Sequence, residues 1–179
     1  MAYGAMAALA AVLHVSLGDD LITLWRPGPS PFAAEYTVAL GAAVGLLTVL
    51  AGRLLGHSAR WRQATDAFRR AFEGVPPSAI FPMALMSSVA EELFCRGFLQ
   101  PHLGLEITAL IFAVIHVPFD RRLIPWWQIS ALVMGLCFGA LVEWTGTLTA
   151  ATVAHFLINY FNLHQIIGLT DSGQIAATR

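Results

Sequence analysis

Long apolar stretches alternate along the chain with short polar connectors. A helix that crosses the bilayer core needs roughly 20 apolar residues, with a usable range of about 17 to 25. Six stretches approach that length, at residues 2–17, 36–55, 79–99, 103–119, 126–143 and 148–169. The pattern predicts an all-α, polytopic transmembrane helix bundle of about six spans, with residues 1–179 forming a single transmembrane domain.

The first stretch, residues 2–17, is the weakest of the six and has a second interpretation as a signal peptide. It lacks the cationic residues that usually precede the apolar part of a signal peptide, and no clear small-residue cleavage site precedes Asp19. We therefore expect a retained span, with a cleaved signal peptide as the alternative.

Residues 58–73, between the second and third stretches, have an amphipathic pattern. Apolar residues recur there at helical spacing, with charged residues between them, namely Trp61, Ala64, Ala67, Phe68, Ala71 and Phe72 against Arg62, Asp66, Arg69 and Arg70. This pattern predicts a helix in the plane of the lipid headgroups, which Pro76 and Pro77 end. The alternative is an ordinary cytoplasmic connector, and in both cases we expect the segment to bear little on chemistry.

Composition supports a membrane protein and excludes one class of partner. Hydrophobic residues make up 57% of the chain and charged residues 12%, whereas soluble domains carry about 25% charged residues. The formal net charge of -1 offers no broad basic surface, which argues against nucleic acid as a partner. Cys95 and Cys137 both lie in apolar stretches, where we expect small buried hydrophobic residues and no disulfide.

The placement of arginine predicts the orientation of the bundle. Two connectors, 56–78 and 120–125, carry most of the arginines, and Arg53 lies at the end of the second stretch. The opposite side receives Asp19, Asp20 and Glu35 with Arg26. Because positive charge favours the cytoplasmic side, we predict a multi-pass protein, most consistent with a prokaryotic cytoplasmic membrane, with both termini in the cytoplasm.

Three charged residues interrupt the third stretch. A charge at the centre of a spanning helix costs about 2.5 to 3.5 kcal/mol on insertion scales, so such residues face the bundle interior or a wet cavity. Glu92 and Arg96 are four residues apart and can form an ion pair on one helix face. Glu91 lies about 100° round the helix from Glu92. An ion pair with Arg96 explains the carboxylate of Glu92, and the carboxylate of Glu91 remains available for another role.

The fourth and sixth stretches also carry polar residues at helical spacing. Phe112 and His116 are four apart, so the phenyl ring can pack beside the imidazole. His155 and Asn159 lie one turn apart and face the same way. Polar groups from three spans therefore converge, as expected of a site built inside a helix bundle.

This set of residues fits amide hydrolysis by an activated water molecule. A carboxylate in apolar surroundings can act as a general base, and a nearby imidazole can hold the water or pass a proton. A second imidazole and a side-chain amide can donate hydrogen bonds to a developing oxyanion, worth about 2.7 to 4 kcal/mol per donor. A covalent nucleophile is not required, and we expect Ser87 and Ser88 to pack helices.

The motifs Glu91-Glu92-x-x-x-Arg96, Phe112-x-x-x-His116 and His155-x-x-x-Asn159 resemble, in this order, those of the CAAX protease and bacteriocin-processing (CPBP) family of intramembrane endopeptidases. The resemblance implies a catalytic core at about residues 78–168. It also implies that Glu91 activates water with the help of His116, while His155 and Asn159 stabilise the oxyanion. Glu92 and Arg96 would then be mainly a structural pair that positions Glu91.

Two alternatives remain open from the sequence. Glu91, His116 and His155 are acceptable zinc ligands, although no His-Glu-x-x-His helix is present; we expect no cofactor and keep zinc as the alternative. Outside catalysis, the polar cluster suits a catalytically silent binding or immunity scaffold, or a carrier. The expected partners are the lipid bilayer and a membrane-associated protein or peptide substrate, whose identity the motifs do not indicate.

Overall fold

The structure is a computed structural model that describes residues 23–25, 34–56, 58–118 and 120–177, together with the single residues Ala8 and Val12. Of residues 168–177 it describes the backbone. Within these ranges the chain forms six longer helices and no strand. The predicted all-α helix bundle is confirmed.

The six helices follow one another with short connections. They are α1 (Ala34–Leu55), α2 (Ala59–Ala71), α3 (Ile80–Glu92), α4 (Leu105–Ile115), α5 (Ile124–Thr145) and α6 (Thr149–Ala177). Helix α3 continues through a π-helical segment, Leu93–Leu99, and a last turn, Gln100–Leu103. Single 3-10 turns at Pro77–Ala79 and Arg121–Leu123 precede α3 and α5.

Three of the helices are long and apolar enough to cross a membrane, judged by length and composition. These are Ala34–Leu55, Pro77–Leu103 and Arg121–Thr145, which correspond to the predicted second, third and fifth spans. They support an integral membrane protein. The predicted first span, residues 2–17, lies outside the described residues except for Ala8 and Val12.

The predicted fourth span, residues 103–119, is wrong in its length. Helix α4 has 11 residues, which corresponds to about 16 Å and is too short for a bilayer core of about 30 Å. The helix ends at Ile115, and His116 already has non-helical dihedral angles of φ -83° and ψ 73°. Pro118 explains this early end, because proline cannot donate the next backbone hydrogen bond and disfavours the helical conformation in the residue before it.

The predicted sixth span corresponds to α6, which lies at the centre of the bundle and contacts α1, α2, α3 and α5. Among the described residues, α6 is not one of the three helices apolar enough to span a membrane. Its apolar run is interrupted by Asn159, Asn162, His164 and Gln165. These polar residues mark α6 as the helix around which the site is built.

Small residues allow α1 and α6 to approach closely. Gly41 and Gly45 lie one turn apart on α1 and are buried against Ala150 and Ala154 of α6. A Cβ atom at Gly45 would lie 2.9 Å from the Ala154 carbonyl oxygen, and one at Gly41 would clash with the Ala150 carbonyl oxygen. This is the small-xxx-small packing typical of membrane helices.

Helix α2 confirms the predicted amphipathic helix in residues 58–73. Its first turn is capped by Ser58, whose hydroxyl accepts a hydrogen bond from the Trp61 backbone N–H at 3.2 Å. On its apolar side Ala64 and Ala67 are buried, and the Phe68 ring lies 4.7 Å from the Trp127 ring of α5. These contacts hold α2 against the bundle.

One polar contact ties α2 to the connector between α4 and α5. The Gln63 amide donates to the Asp120 carboxylate at 3.0 Å. The backbone N–H of Arg122 also donates to this carboxylate at 2.9 Å, and these two hydrogen bonds lower the pKa of Asp120. The connector that follows His116 is therefore held to α2.

Candidate active site

The predicted base and both predicted imidazoles lie together in the structure. The Oε2 atom of Glu91 is 3.2 Å from Nε2 of His116 and 3.8 Å from Nε2 of His155. Glu91 is on α3, His116 directly follows α4, and His155 is on α6. The side chain of Glu91 is 6% exposed, and its Oε2 atom is buried without a hydrogen bond of good geometry. A carboxylate and two imidazoles thus face one another.

His116 is held by the last turn of α4. Its Nδ1 atom lies 2.6 Å from the Phe112 carbonyl oxygen, and its ring packs on the Phe112 ring with centroids 4.1 Å apart. The sequence predicted this ring contact. Because a carbonyl oxygen only accepts hydrogen bonds, Nδ1 carries a proton, and Nε2 is the atom that faces Glu91.

Glu92 has two partners. Its Oε1 atom accepts from Nη1 of Arg96 at 3.1 Å, as the spacing predicted, and from Nδ1 of His155 at 2.7 Å. The side chains of Glu92 and Arg96 are fully buried. We expected Glu92 to act mainly through Arg96, and the contact with His155 was missed. Spacing within one helix could not reveal it, because it depends on how α6 packs against α3.

Arg96 also contacts groups on two other helices. Its Nη2 atom donates to the Gly135 carbonyl oxygen of α5 at 3.0 Å. Its guanidinium lies over the rings of Phe112 and Phe138, with Cζ 4.4 Å and 5.4 Å from their centroids. Cation–π contacts of this kind are stronger when the cation is removed from water. Phe112 therefore supports both Arg96 and His116.

Asn159 lies on the same side of α6 as His155 and contacts α3 through a residue that was not predicted as part of the site. Its Nδ2 atom donates to Oγ of Ser87 at 3.0 Å, and Ser87 in turn donates to the Ala84 carbonyl oxygen at 3.2 Å. We expected Ser87 to pack helices. Its position one turn before Glu91, on the same face of α3, is a signal that could have identified it.

A cavity of about 240 Å³ opens onto this cluster. Glu91, His116, His155, Asn159 and Ser87 line its polar end. The rest of its wall is mainly apolar and includes Trp61, Ala64, Thr65, Phe68, Phe72, Met83, Trp127, Leu163 and Ile166. Five of these residues belong to α2 or follow it directly, so the apolar face of α2 is a wall of the cavity. The expectation that this segment bears little on chemistry is therefore corrected.

The other predicted features of the site can be placed as well. Cys95 is buried and Cys137 half-buried, and neither forms a disulfide. Among the described residues, no three His, Cys, Asp or Glu side chains are arranged to hold a metal ion. The π-helical segment of α3 begins directly after Glu92, and π-helical turns are frequent at functional sites.

Fold and site together define a class: an α-helical membrane protein with a buried carboxylate–imidazole centre at the end of an apolar cavity. Residues 74–161 match the family model described as Rce1-like, type II CAAX prenyl endopeptidase. This segment of the chain is similar to that family, which confirms the resemblance to the CPBP proteases over these residues. The three apolar helices support an integral membrane protein.

A similar protein is known from Bacillus subtilis (strain 168), where it is called uncharacterized protein YpbD. The two chains are 39% identical over 85 residues, which cover 46% of this chain and 42% of YpbD. The match thus spans less than half of either protein. No solved structure matches the chain significantly.

Proposed function

We propose that the protein is an intramembrane endopeptidase that hydrolyses a peptide bond with a water molecule activated by Glu91. The observation that carries this proposal is the Glu91 carboxylate, which contacts both imidazoles at the polar end of the cavity. A general base needs a position within hydrogen-bond reach of the water it activates, in a place that the substrate can enter. Its place on the cavity wall supports Glu91 as this base.

In this mechanism Glu91 takes a proton from water, and the hydroxide attacks the carbonyl carbon of the scissile bond. His116 holds the water through Nε2, then receives from Glu91 the proton that was taken from the water and gives it to the leaving nitrogen when the C–N bond breaks. Its Nδ1–H stays on the Phe112 carbonyl throughout, which fixes the ring. Positioning of reactants in this way contributes much of the rate enhancement in enzymes.

His155 and Asn159 are proposed to stabilise the oxyanion. Because Nδ1 of His155 donates to Glu92, its Nε2 atom can donate to an oxyanion only when the ring carries a second proton. The proposed donor role of His155 therefore requires a proton on both ring nitrogens, next to the carboxylates of Glu91 and Glu92. The second N–H of Asn159 is free to act as a further donor, because Ser87 engages the first.

The proposed substrate is a membrane-associated protein or peptide. The cavity wall is mainly apolar and aromatic, and its α2 side carries Trp61, Phe68 and Phe72. Such a wall suits an apolar segment of a substrate that approaches from the membrane. The family description names CAAX prenyl endopeptidases, so a prenylated CAAX peptide is a reasonable first probe, to be compared with the same peptide without the prenyl group.

The deciding experiment compares cells and purified protein with and without the Glu91→Gln substitution. Newly formed peptide termini are profiled in cells that express the wild type, Glu91→Gln or the matched control Glu106→Gln, which changes an exposed glutamate of α4. We expect termini that depend on Glu91 and are retained in the control. Cleavage of the corresponding peptide by purified protein in lipid nanodiscs then tests whether the activity is direct.

The same assay distinguishes the alternatives. We propose hydrolysis without a metal, so activity should survive a zinc chelator and purified protein should contain no stoichiometric zinc. Loss of activity with the chelator, restored by added zinc, would establish the zinc mechanism. Identical termini in wild type and Glu91→Gln, with no cleavage by purified protein, would instead favour a silent scaffold or a carrier.

A further inference from the structure

A second cavity, of about 370 Å³, lies beside the one that holds the polar cluster. Its walls come from the end of α1, from α2 and from α6, and are formed by Arg53, Gly56, Trp61, Arg62, Thr65, Asp66, Arg69 and Gln165. Three of these residues are also part of the first cavity, namely Trp61, Thr65 and Gln165. We call this second cavity the arginine pocket.

The charges of the arginine pocket do not balance. Arg53, Arg62 and Arg69 contribute three positive charges, whereas Asp66 contributes one negative charge. The contact between Asp66 and Arg69 is loose, with 3.6 Å between Oδ1 and Nη1. The Nε–H of Arg69 is buried and has no hydrogen-bond acceptor. Because a buried donor without an acceptor is costly, this pocket is suited to an anion.

The surroundings of the pocket indicate where that anion comes from. Arg53 lies in the last turn of α1, a helix that can cross a membrane, and its guanidinium lies 5.9 Å from the Phe161 ring centroid of α6. Arg62 and Arg69 lie on the amphipathic helix α2, beside the indole of Trp61. Arginines next to a tryptophan at the end of a spanning helix are typical of the headgroup layer.

We propose that the arginine pocket binds the phosphate of an anionic phospholipid headgroup. Basic pockets between membrane helices recognise anionic headgroups, and arginine binds phosphate oxygens in a bidentate manner. The side of α2 that lines the first cavity with Ala64 and Phe68 contributes no arginine to that cavity. Because Trp61 lines both cavities, a headgroup in the arginine pocket would contact a residue of the candidate active site's wall.

Lipid binding to the full-length protein tests this proposal without any assay of hydrolysis. Purified, delipidated protein is titrated with phosphatidylglycerol or with phosphatidylcholine of the same acyl chains, and bound lipid is counted by native mass spectrometry. We expect tight binding of one phosphatidylglycerol molecule. Each of the substitutions Arg53→Gln, Arg62→Gln and Arg69→Gln should weaken it about fivefold, which corresponds to about 1 kcal/mol per arginine.

The matched controls are Arg60→Gln and Arg121→Gln, which remove the same charge from exposed positions outside the pocket. Both should leave the affinity for phosphatidylglycerol within about twofold of the wild type. The exposed side chain of Arg62 makes its substitution the least disturbing to the fold, and the thermal unfolding midpoint of each variant is measured alongside.

Three results would overturn the proposal. Equal affinity for phosphatidylcholine would show that the anionic headgroup is not recognised. Equal weakening by the pocket substitutions and by the controls would show that net charge alone attracts the lipid. Protection from thermal unfolding by inorganic phosphate alone, with the same dependence on Arg62, would assign the pocket to a soluble phosphate.

Discussion

Glu91 and Glu92 are neighbours in sequence but have opposite environments. Glu92 is fully buried and holds a guanidinium and an imidazole on one oxygen, at 3.1 Å and 2.7 Å. Glu91 lines the cavity, and the ion-pair contacts described for it are with imidazoles alone. Its guanidinium partner ties Glu92 into the packing of the bundle, whereas Glu91 faces imidazole rings, which can take up and release protons. This difference fits a structural role for Glu92 and the proposed chemical role for Glu91.

The difference arises from the geometry of a single helix. Consecutive residues of a helix point about 100° apart, so the two carboxylates of α3 reach different neighbours. Glu92 points to Arg96 and to His155 of α6, while Glu91 points to His116 at the end of α4. His155 contacts both glutamates: its Nδ1 atom lies 2.7 Å from Glu92 and its Nε2 atom lies 3.8 Å from Glu91. This imidazole therefore connects the two halves of the site, the supporting half formed by Glu92 and Arg96 and the half formed by Glu91 and His116.

The largest effect should come from Glu91→Gln, which removes the proposed base and keeps its shape. We expect the rate of peptide hydrolysis to fall by about 10² to 10⁴, because this is the usual contribution of a general base. The free energy of unfolding should change by less than about 1 kcal/mol. Initial rates in nanodiscs and denaturant unfolding of the same preparation provide both values. Equal rates for the wild type and the variant would contradict the role of Glu91.

Substitutions in the supporting half should instead reduce stability. Glu92→Gln or Arg96→Ala leaves a buried charge without its partner, which costs about 3 to 5 kcal/mol, so both variants should give low yields and unfold at lower temperature. The double variant Glu92→Gln with Arg96→Met removes both charges and should regain a large part of this loss. Normal yield and unfolding midpoint of both single variants would refute the pairing.

A substitution outside the site should affect both halves together. The Cβ atom of Gly45→Val would meet the Ala154 carbonyl oxygen, which directly precedes His155, and push α6 away from α1. Such overpacking costs about 1 to 3 kcal/mol. Ala43→Val, at an exposed position of α1, is the matched control and should be neutral. Thermal unfolding and hydrolysis should both decline for Gly45→Val; unchanged stability would show that the helices can separate freely.

The smallest effect should come from Ser87→Ala, which leaves the Asn159 amide without its acceptor. The loss of one hydrogen bond is worth about 1 kcal/mol, so hydrolysis should slow about fivefold, mainly in kcat. Ser87→Thr should retain most of the rate. The control is Ser88→Ala, since the Ser88 hydroxyl donates to carbonyl oxygens of its own helix. If both alanine variants behave alike, Ser87 serves packing alone.

The sequence predicted the helices and the motif residues because their signals are local. Apolar runs indicated α1, α3 and α5, and spacings of four residues indicated the Glu92–Arg96 and Phe112–His116 pairs. Contacts between helices gave no such signal. The hydrogen bond from His155 to Glu92, the pairing of Asn159 with Ser87 and the role of α2 as a cavity wall depend on tertiary packing. The length of α4 was overestimated because Pro118 was counted within an apolar run.

The early end of α4 has a consequence for how a bulky chain can be admitted. His116 follows the helix with non-helical dihedral angles, while Glu91 and His155 lie within helices. Helical residues move only with their neighbours, but a connector can swing on a few backbone torsions. The site thus combines two residues on helices with one residue that follows a helix end, and the hydrogen bond from Gln63 to Asp120 joins the chain after His116 to α2. We expect a substitution that removes this hydrogen bond to change the position of His116 more than the positions of Glu91 and His155.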